Sequence, residues 1–298
     1  MSMCKCVLLL SVFLLFTAPA GAQQKVGTLK LKPYTFENDK GEKVDSEFGT
    51  LLVPEKRSDP QSNLIELAFV RFKSTAKNPG PPIVYLAGGP GGTGIGTAIG
   101  SRFPLFMALR EVADVIAYDQ RGTGHSKPNL SCYDRLAMPL DVAPSREAAL
   151  QELRASARNC AVYWREVQRV DLNGYNTNES ADDLEDLRKA LGANKISLWS
   201  ISYGTHLAFA TIRRHPKSIH RVPVLFISGT LDARTPISNA AEYLTGFSNS
   251  THMIIEGAVH SDPLFLSSPK IKEGMMEFLR GQPVTVTKIT AAPMKFVL

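Results

Sequence analysis

Ile196-Ser197-Leu198-Trp199-Ser200-Ile201-Ser202-Tyr203-Gly204 is the stretch on which the fold turns. Its first half is a short apolar run of strand character, and its second half enters a helical pattern, Gly204 to His215, with no residues left for a loop. Pro216 stops that helix. Strands that feed directly into helices belong to sheets whose crossovers return over a face, so the surrounding sequence must supply more of the same alternation. It does: Ile83 to Leu86, Val112 to Tyr118, Val222 to Ile227 and His252 to Ile255 are continuous apolar runs separated by helical stretches. Strands apolar on both sides imply a mostly parallel, doubly wound sheet covered on both faces.

Upstream the style differs. From Val26 to Lys73 apolar and polar residues alternate, as in Leu29-Lys30-Leu31, which predicts antiparallel leading strands. Downstream, Ser180 is the expected N-cap of a helix carrying Leu184, Leu187 and Leu191, closed by Gly192. Pro236 to about Phe247 and Pro269 to Leu279 read as further helices, and the β-prone tail from Pro283 as either an added edge strand or a frayed end. The chain has 298 residues, 44% of them hydrophobic and 21% charged, which excludes a disordered or fibrous protein.

Residues 1–22 read as a cleavable leader: Lys5, an apolar run from Val7 to Phe16, and a small-residue site at Ala20-Gly21-Ala22. The remainder, 23–298, is expected to be one domain with its core at about 45–280, secreted or periplasmic. No later segment approaches the roughly twenty apolar residues of a membrane helix, so no membrane association is expected once the leader is removed. Without Lys5 the positive excess is five charges in no cluster, which gives no argument for a nucleic-acid partner. Cys132 and Cys160 are the one cysteine pair outside the leader and are expected to form a disulfide. Neither has finger-type ligand spacing, so no metal is expected.

Ser202 sits where a strand-to-helix elbow would expose a nucleophilic hydroxyl. Gly204 supplies the small residue two positions after it, while Ser200 stands where glycine is usual two positions before. An N-capping serine is the plainer alternative. Asp232 follows the carboxyl end of the Val222 to Ile227 strand, and His260 comes after the last core strand. The order Ser, Asp, His in this strand context points to Ser202 as nucleophile, His260 as base and Asp232 as its orienting acid. The oxyanion would be held by backbone N–H groups of Tyr203 and of the loop Gly88-Gly89-Pro90-Gly91-Gly92. That loop has a competing reading, since Gly89 to Gly94 matches G-x-G-x-x-G and Asp119 ends the next strand, as in a dinucleotide site. An exported chain has little use for such a cofactor, and none is expected.

Four stretches together resemble the proline iminopeptidase and tripeptidyl aminopeptidase branch of the α/β-hydrolases. They are Gly88 to Gly92, Tyr118-Asp119-Gln120-Arg121-Gly122-Thr123-Gly124-His125-Ser126, Ser200 to Thr205, and Gly229-Thr230-Leu231-Asp232-Ala233-Arg234-Thr235-Pro236. The resemblance implies an α/β-hydrolase fold with Ser202, Asp232 and His260 as triad, Gly88, Gly89 and Tyr203 at the oxyanion hole, and Asp119 and Arg121 in a supporting turn. The substrate it implies is a small peptide cleaved near its N-terminus. The chain departs from the pattern where the family carries a further strand and a helical cap, because only residues 216–222 separate His215 from Pro223. The strand bearing Asp232 is therefore expected beside the nucleophile strand, under an open site that would admit small esters. Exposed apolar surface there would favour a homodimer. A catalytically silent binding protein that keeps the motifs is the remaining alternative.

Overall fold

The computed structural model describes residues 25–132, 145–220 and 223–292, so the leader expected over residues 1–22 lies outside them. The leading strands β1 (Leu29–Glu37), β2 (Lys43–Pro54) and β3 (Leu64–Phe72) form an antiparallel meander, with Leu29 opposite Leu51 and Leu51 opposite Leu67. Asn38 closes the first turn by accepting the Lys40 and Glu42 amides on its side-chain oxygen at 3.0 and 2.8 Å. After β4 (Gly80–Leu86) come α1 (Gly94–Ile99), α2 (Phe103–Leu109) and β5 (Ala113–Tyr118). The exposed helix α3 (Arg146–Val162) and then α4 (Thr177–Ala190) lead to β6 (Ser197–Ser200) and α5 (Tyr203–Arg214).

These strands form one six-stranded sheet in the order β1-β2-β3-β5-β4-β6, in which β5, β4 and β6 are parallel. Period-two alternation divides their side chains between two cores. Ile83 and Tyr85 pack with Phe103, Phe106 and Trp199 on one face, while Val84 and Leu86 pack with Leu184, Leu187 and Leu207 on the other. Leu184 and Leu187 are fully buried, each contributing about 2 kcal/mol of apolar transfer.

Helix α4 begins one turn earlier than its sequence suggests. Asn176, not Ser180, is the cap, accepting the amides of Asn178 and Glu179, and Ser180 is buried inside the helix. Both residues suit a cap, but Asn176 leaves Ser180, Leu184 and Leu187 on one inward face. The same helix anchors an ion network. The buried Arg121 guanidinium donates to both Asp183 carboxylate oxygens at 2.7 and 2.6 Å, and Arg57 joins Asp183 to Glu179 and Asp186. Burial alone would lower the affinity of Arg57 for its proton, and the three carboxylates reverse this and raise its pKa.

The remaining elements are β7 (Val224–Gly229), α6 (Ile237–Leu244), β8 (Ser250–Glu256), α7 (Pro263–Leu266), α8 (Pro269–Leu279) and β9 (Lys288–Thr290). Helix α6 thus ends before Phe247. The post-Pro283 tail does add an edge strand: β9 runs parallel to β8, with Ile289 opposite Ile255.

One expectation fails. β7 does not pair with β6; it heads a separate parallel sheet of order β7-β8-β9. The reason is local, because the edge of β6 is already taken at its start by an isolated parallel bridge between Ile196 and Ile219. The chain leaving α5 therefore runs beside the residue that enters β6 before it reaches β7.

Candidate active site

Ser202 links β6 to α5 with φ 53° and ψ −124°, a strained conformation for a residue with a side chain. The turn is tight. Ile201 N–H donates to the Leu86 carbonyl and Gly204 N–H to that of Ile201, and a Cβ on Gly204 would lie 2.1 Å from the Leu86 carbonyl oxygen. Only glycine fits there. On the other side of Ser202, Ser200 is accommodated, with its hydroxyl buried and unpartnered.

Gly88 backs directly onto the serine: a Cβ there would stand 2.8 Å from Ser202 Cβ and 3.4 Å from Ser202 Oγ. The Gly92 amide closes the loop onto the Gly88 carbonyl at 3.0 Å, and Gly89 takes φ +116°. Tyr203 opens α5, its hydroxyl sharing a hydrogen bond with Thr177 at 2.9 Å. The loop is braced from below by the turn after β5. Gln120 Nε2 donates to the Ala87 carbonyl at 3.0 Å, and the Asp119 carboxylate accepts the Ile95 and His125 amides at 3.0 and 2.8 Å. Asp119 is fully buried and committed to these contacts, so it has no face to offer a ribose, which removes the dinucleotide alternative. Arg121 instead serves the ion network with Asp183.

Asp232 and His260 are joined. His260 Nδ1 lies 2.7 Å from Asp232 Oδ2, and the acid is 5% exposed. The other oxygen, Oδ1, accepts the Arg234 and Thr235 amides at 2.9 and 2.8 Å. The Thr235 hydroxyl donates to Oδ2 at 2.7 Å and stands 3.2 Å from His260 Nδ1. Burial would raise the Asp232 pKa, but the Thr235 amide and hydroxyl and the His260 ring outweigh it and hold the carboxyl below 3.8. The two loops that carry the pair are stitched together by Leu231 N–H to the Ala258 carbonyl and Gly257 N–H to Thr230 Oγ1, at 3.0 and 2.8 Å. Gly229 permits this, since a Cβ there would meet the Ala258 carbonyl oxygen at 2.3 Å.

Ser202 and His260 face one cavity of about 700 Å³ that also receives Gly88 and Gly89. Among the described residues no hydrogen bond joins Ser202 Oγ to His260. The structure thus brings Asp232 and His260 into contact and places Ser202 across a shared cavity. Thr235 was not legible as a site residue; its signal is the spacing Asp-x-x-Thr, which lets a side chain fold back on the carboxylate through a turn. Cys132 and Cys160 form a disulfide with Cα atoms 5.7 Å apart, tying the end of α3 to the turn after β5.

A family profile described as alpha/beta hydrolase fold matches residues 81–222. Serine protease Hip1 of Mycobacterium tuberculosis (strain ATCC 25618 / H37Rv) is 30% identical over 217 residues, covering 68% of this chain and 39% of that protein. Tripeptidyl aminopeptidase of Streptomyces coelicolor is 31% identical over 185 residues, covering 59% and 34%. Among solved structures, a thermophilic esterase from Thermogutta terrifontis aligns with 16% identity and a TM-score of 0.48, over 78% of this chain and 98% of the esterase. The chain spans about a third of the length of the curated relatives it matches. The chain has an α/β-hydrolase fold, matched over residues 81–222, and is similar over part of its length to proteins named as serine protease and tripeptidyl aminopeptidase.

Proposed function

We propose that the chain is a serine hydrolase that cleaves small peptides near their N-terminus through an acyl-enzyme. The observation that carries this reading is the Asp232–His260 contact, with His260 and the strained Ser202 lining one cavity. With Nδ1–H held by Asp232, the neutral imidazole carries its lone pair on Nε2. Nε2 takes the proton of the Ser202 hydroxyl as Oγ bonds to the substrate carbonyl carbon, and the carbonyl electrons move to oxygen. The oxyanion is met by backbone N–H groups at Tyr203 and in the Gly88-Gly89 loop. The imidazolium returns its proton to the departing nitrogen as the C–N bond breaks, and water repeats the sequence on the ester. Asp232, kept ionised by Thr235, stabilises the imidazolium throughout.

A second reading is a broad-specificity esterase. It is favoured by the cavity wall, which among the described residues carries Arg102 and Arg234 but no Asp or Glu to hold a substrate's α-ammonium group. Export is supported by the oxidised Cys132–Cys160 pair. The test has two parts. A fluorophosphonate should label the wild type and not Ser202→Ala; equal labelling of both would refute the nucleophile. Aminoacyl anilides are then compared with p-nitrophenyl acetate, and turnover of the acetate alone would replace the peptidase reading by the esterase.

A further inference from the structure

Ser202 follows β6 of the six-stranded sheet, and His260 follows β8 of the three-stranded one. Asp232 fixes only the His260 side, because it leaves the same three-stranded sheet. A general base must come within hydrogen-bond reach of the proton it takes, roughly 2.6–3.2 Å. The apolar core shared by the two units sets their overall fit, and a directional contact near His260 would narrow it.

Arg102 supplies such a contact. It stands at the head of α2, where its carbonyl accepts the Leu105 and Phe106 amides at 2.9 and 3.2 Å, so its backbone belongs to the half that carries Ser202. Its guanidinium reaches across. Nη2 lies 2.9 Å from Asp262 Oδ1, and the other oxygen of that carboxylate accepts the Ser101 hydroxyl. The Phe265 ring centroid is 5.3 Å from the guanidinium carbon. Asp262 is itself fixed at the start of α7, its carbonyl accepting the Phe265 and Leu266 amides at 2.9 Å each, and only Ser261 separates it from His260.

The hold extends back towards the nucleophile. Arg102 Nη1 donates to the Tyr85 hydroxyl at 2.9 Å, and the Tyr85 ring meets Trp199 edge-on with centroids 4.6 Å apart. Trp199 lies in β6, three residues before Ser202. Direct contacts thus run from β6 through Tyr85 and Arg102 to Asp262 and the loop of His260. As a source of stability the ion pair is poor. Arg102 Nε is buried without a partner among the described residues, while the Asp262 side chain is 43% exposed, so a burial cost at one end meets a solvent-screened attraction at the other.

We infer that Arg102 is a positioning residue: by gripping Asp262 it holds the loop that carries His260 in register with Ser202. The inference rests on the serine-hydrolase reading above and adds to it a group that acts through His260. Its planar fork contacts a carboxylate, a phenol and an aromatic ring at once, which the single point charge of a lysine does not reproduce.

The test compares the whole chain with Arg102→Gln, Asp262→Asn, the double variant and Arg280→Gln. The last breaks another ion pair between the two halves, Arg280 to Glu111 at 3.2 Å, whose residues lie outside the cavity wall. On the better of the two substrates named above, either single variant should lose at least about tenfold in kcat with KM within about twofold. The double variant should be no slower than the slower single one, because both changes remove the same contact. Arg280→Gln should keep the wild-type kcat. An equal loss in Arg280→Gln, multiplying losses in the double variant, or single variants with the wild-type kcat would each overturn the proposal. Should Arg102→Gln fail to fold, Asp262→Asn carries the test from the more exposed partner. A readout without turnover separates this inference from the reading beneath it. The His260 Cε1–H resonance, assigned by its loss in His260→Ala, should broaden or shift in Arg102→Gln and Asp262→Asn and stay in place in Arg280→Gln. An unmoved resonance in the first two would overturn the grip on the loop. A wild type that neither turns over nor labels, with the resonance responding as expected, would refute the serine-hydrolase reading and leave the grip standing.

Discussion

The two sheets are built to different standards. In the six-stranded sheet β4 and β5 are buried on both faces and α4 is locked to the preceding loops through Arg57, Arg121 and Asp183. In the three-stranded sheet β7 is only half-buried over its first four residues and α6 buries none of its side chains. Ser202, the proposed nucleophile, belongs to the first and the Asp232–His260 pair to the second. Their difference teaches that each part of the site is rigid within its own unit, through the Ser202 elbow on one side and the Thr235–Asp232–His260 contacts on the other. The two units meet in one apolar core that holds Phe106 and Trp199 together with Ile255 and Met275, and Arg102 pairs with Asp262 across them at 2.9 Å.

The sharpest way to break this picture is at the acid. Asp232→Asn would turn His260 to the wrong tautomer while leaving Ser202 in its elbow, and hydrolysis should fall about 10⁴-fold in a protein that still folds. A fall of less than tenfold in steady-state kinetics would detach the three-stranded sheet from the chemistry. Next in size is the anchor of the other sheet. Arg121→Met removes the cation from a fully buried Asp183, leaving Arg57 as its partner, and should cost about 3 to 5 kcal/mol in urea unfolding. An unchanged midpoint would show that α4 is held by its leucines alone.

Thr235→Val sharpens the comparison from the dyad side. Asp232 has a folded pKa below its ordinary 3.8, so the stability it contributes is complete above the unfolded value and is lost as pH falls through the folded one. Removing the hydroxyl raises the folded value, so the acid-side loss of Tm should be smaller and complete at higher pH, with about 1.5 to 3 kcal/mol less stability at neutral pH. Thr235→Ser should restore the wild-type profile, and superposable profiles for all three proteins would refute the role given to the hydroxyl. The smallest effect is expected at Ser200. Ser200→Ala removes a buried, unpaired hydroxyl from the edge of β6 and should raise stability by about 1 kcal/mol. A loss in thermal melts would mean that this hydroxyl has a partner in solution.

Much of this was legible from short-range rules. The apolar runs announced the parallel strands, Gly204 and Pro216 bounded α5, and the order Ser202, Asp232, His260 marked two residues that line one cavity and the acid that contacts one of them. What escaped was set by competition between distant segments. Asn176 and Ser180 are both good caps, and packing of Leu184 and Leu187 chose between them. The placement of β7 was misjudged because residues before Val224 read as part of that strand, whereas Ile219 is spent on a separate bridge to Ile196. The ion network of Arg57 and Arg121 is invisible locally, since its partners lie more than sixty residues apart in the chain.

The account depends on His260, carried by one sheet, activating Ser202, carried by the other. The most direct measurement is the rate of Ser202 labelling by a fluorophosphonate, in the wild type and in His260→Ala. The variant should react at least about 10³-fold more slowly than the wild type. Equal rates in the two proteins would contradict it.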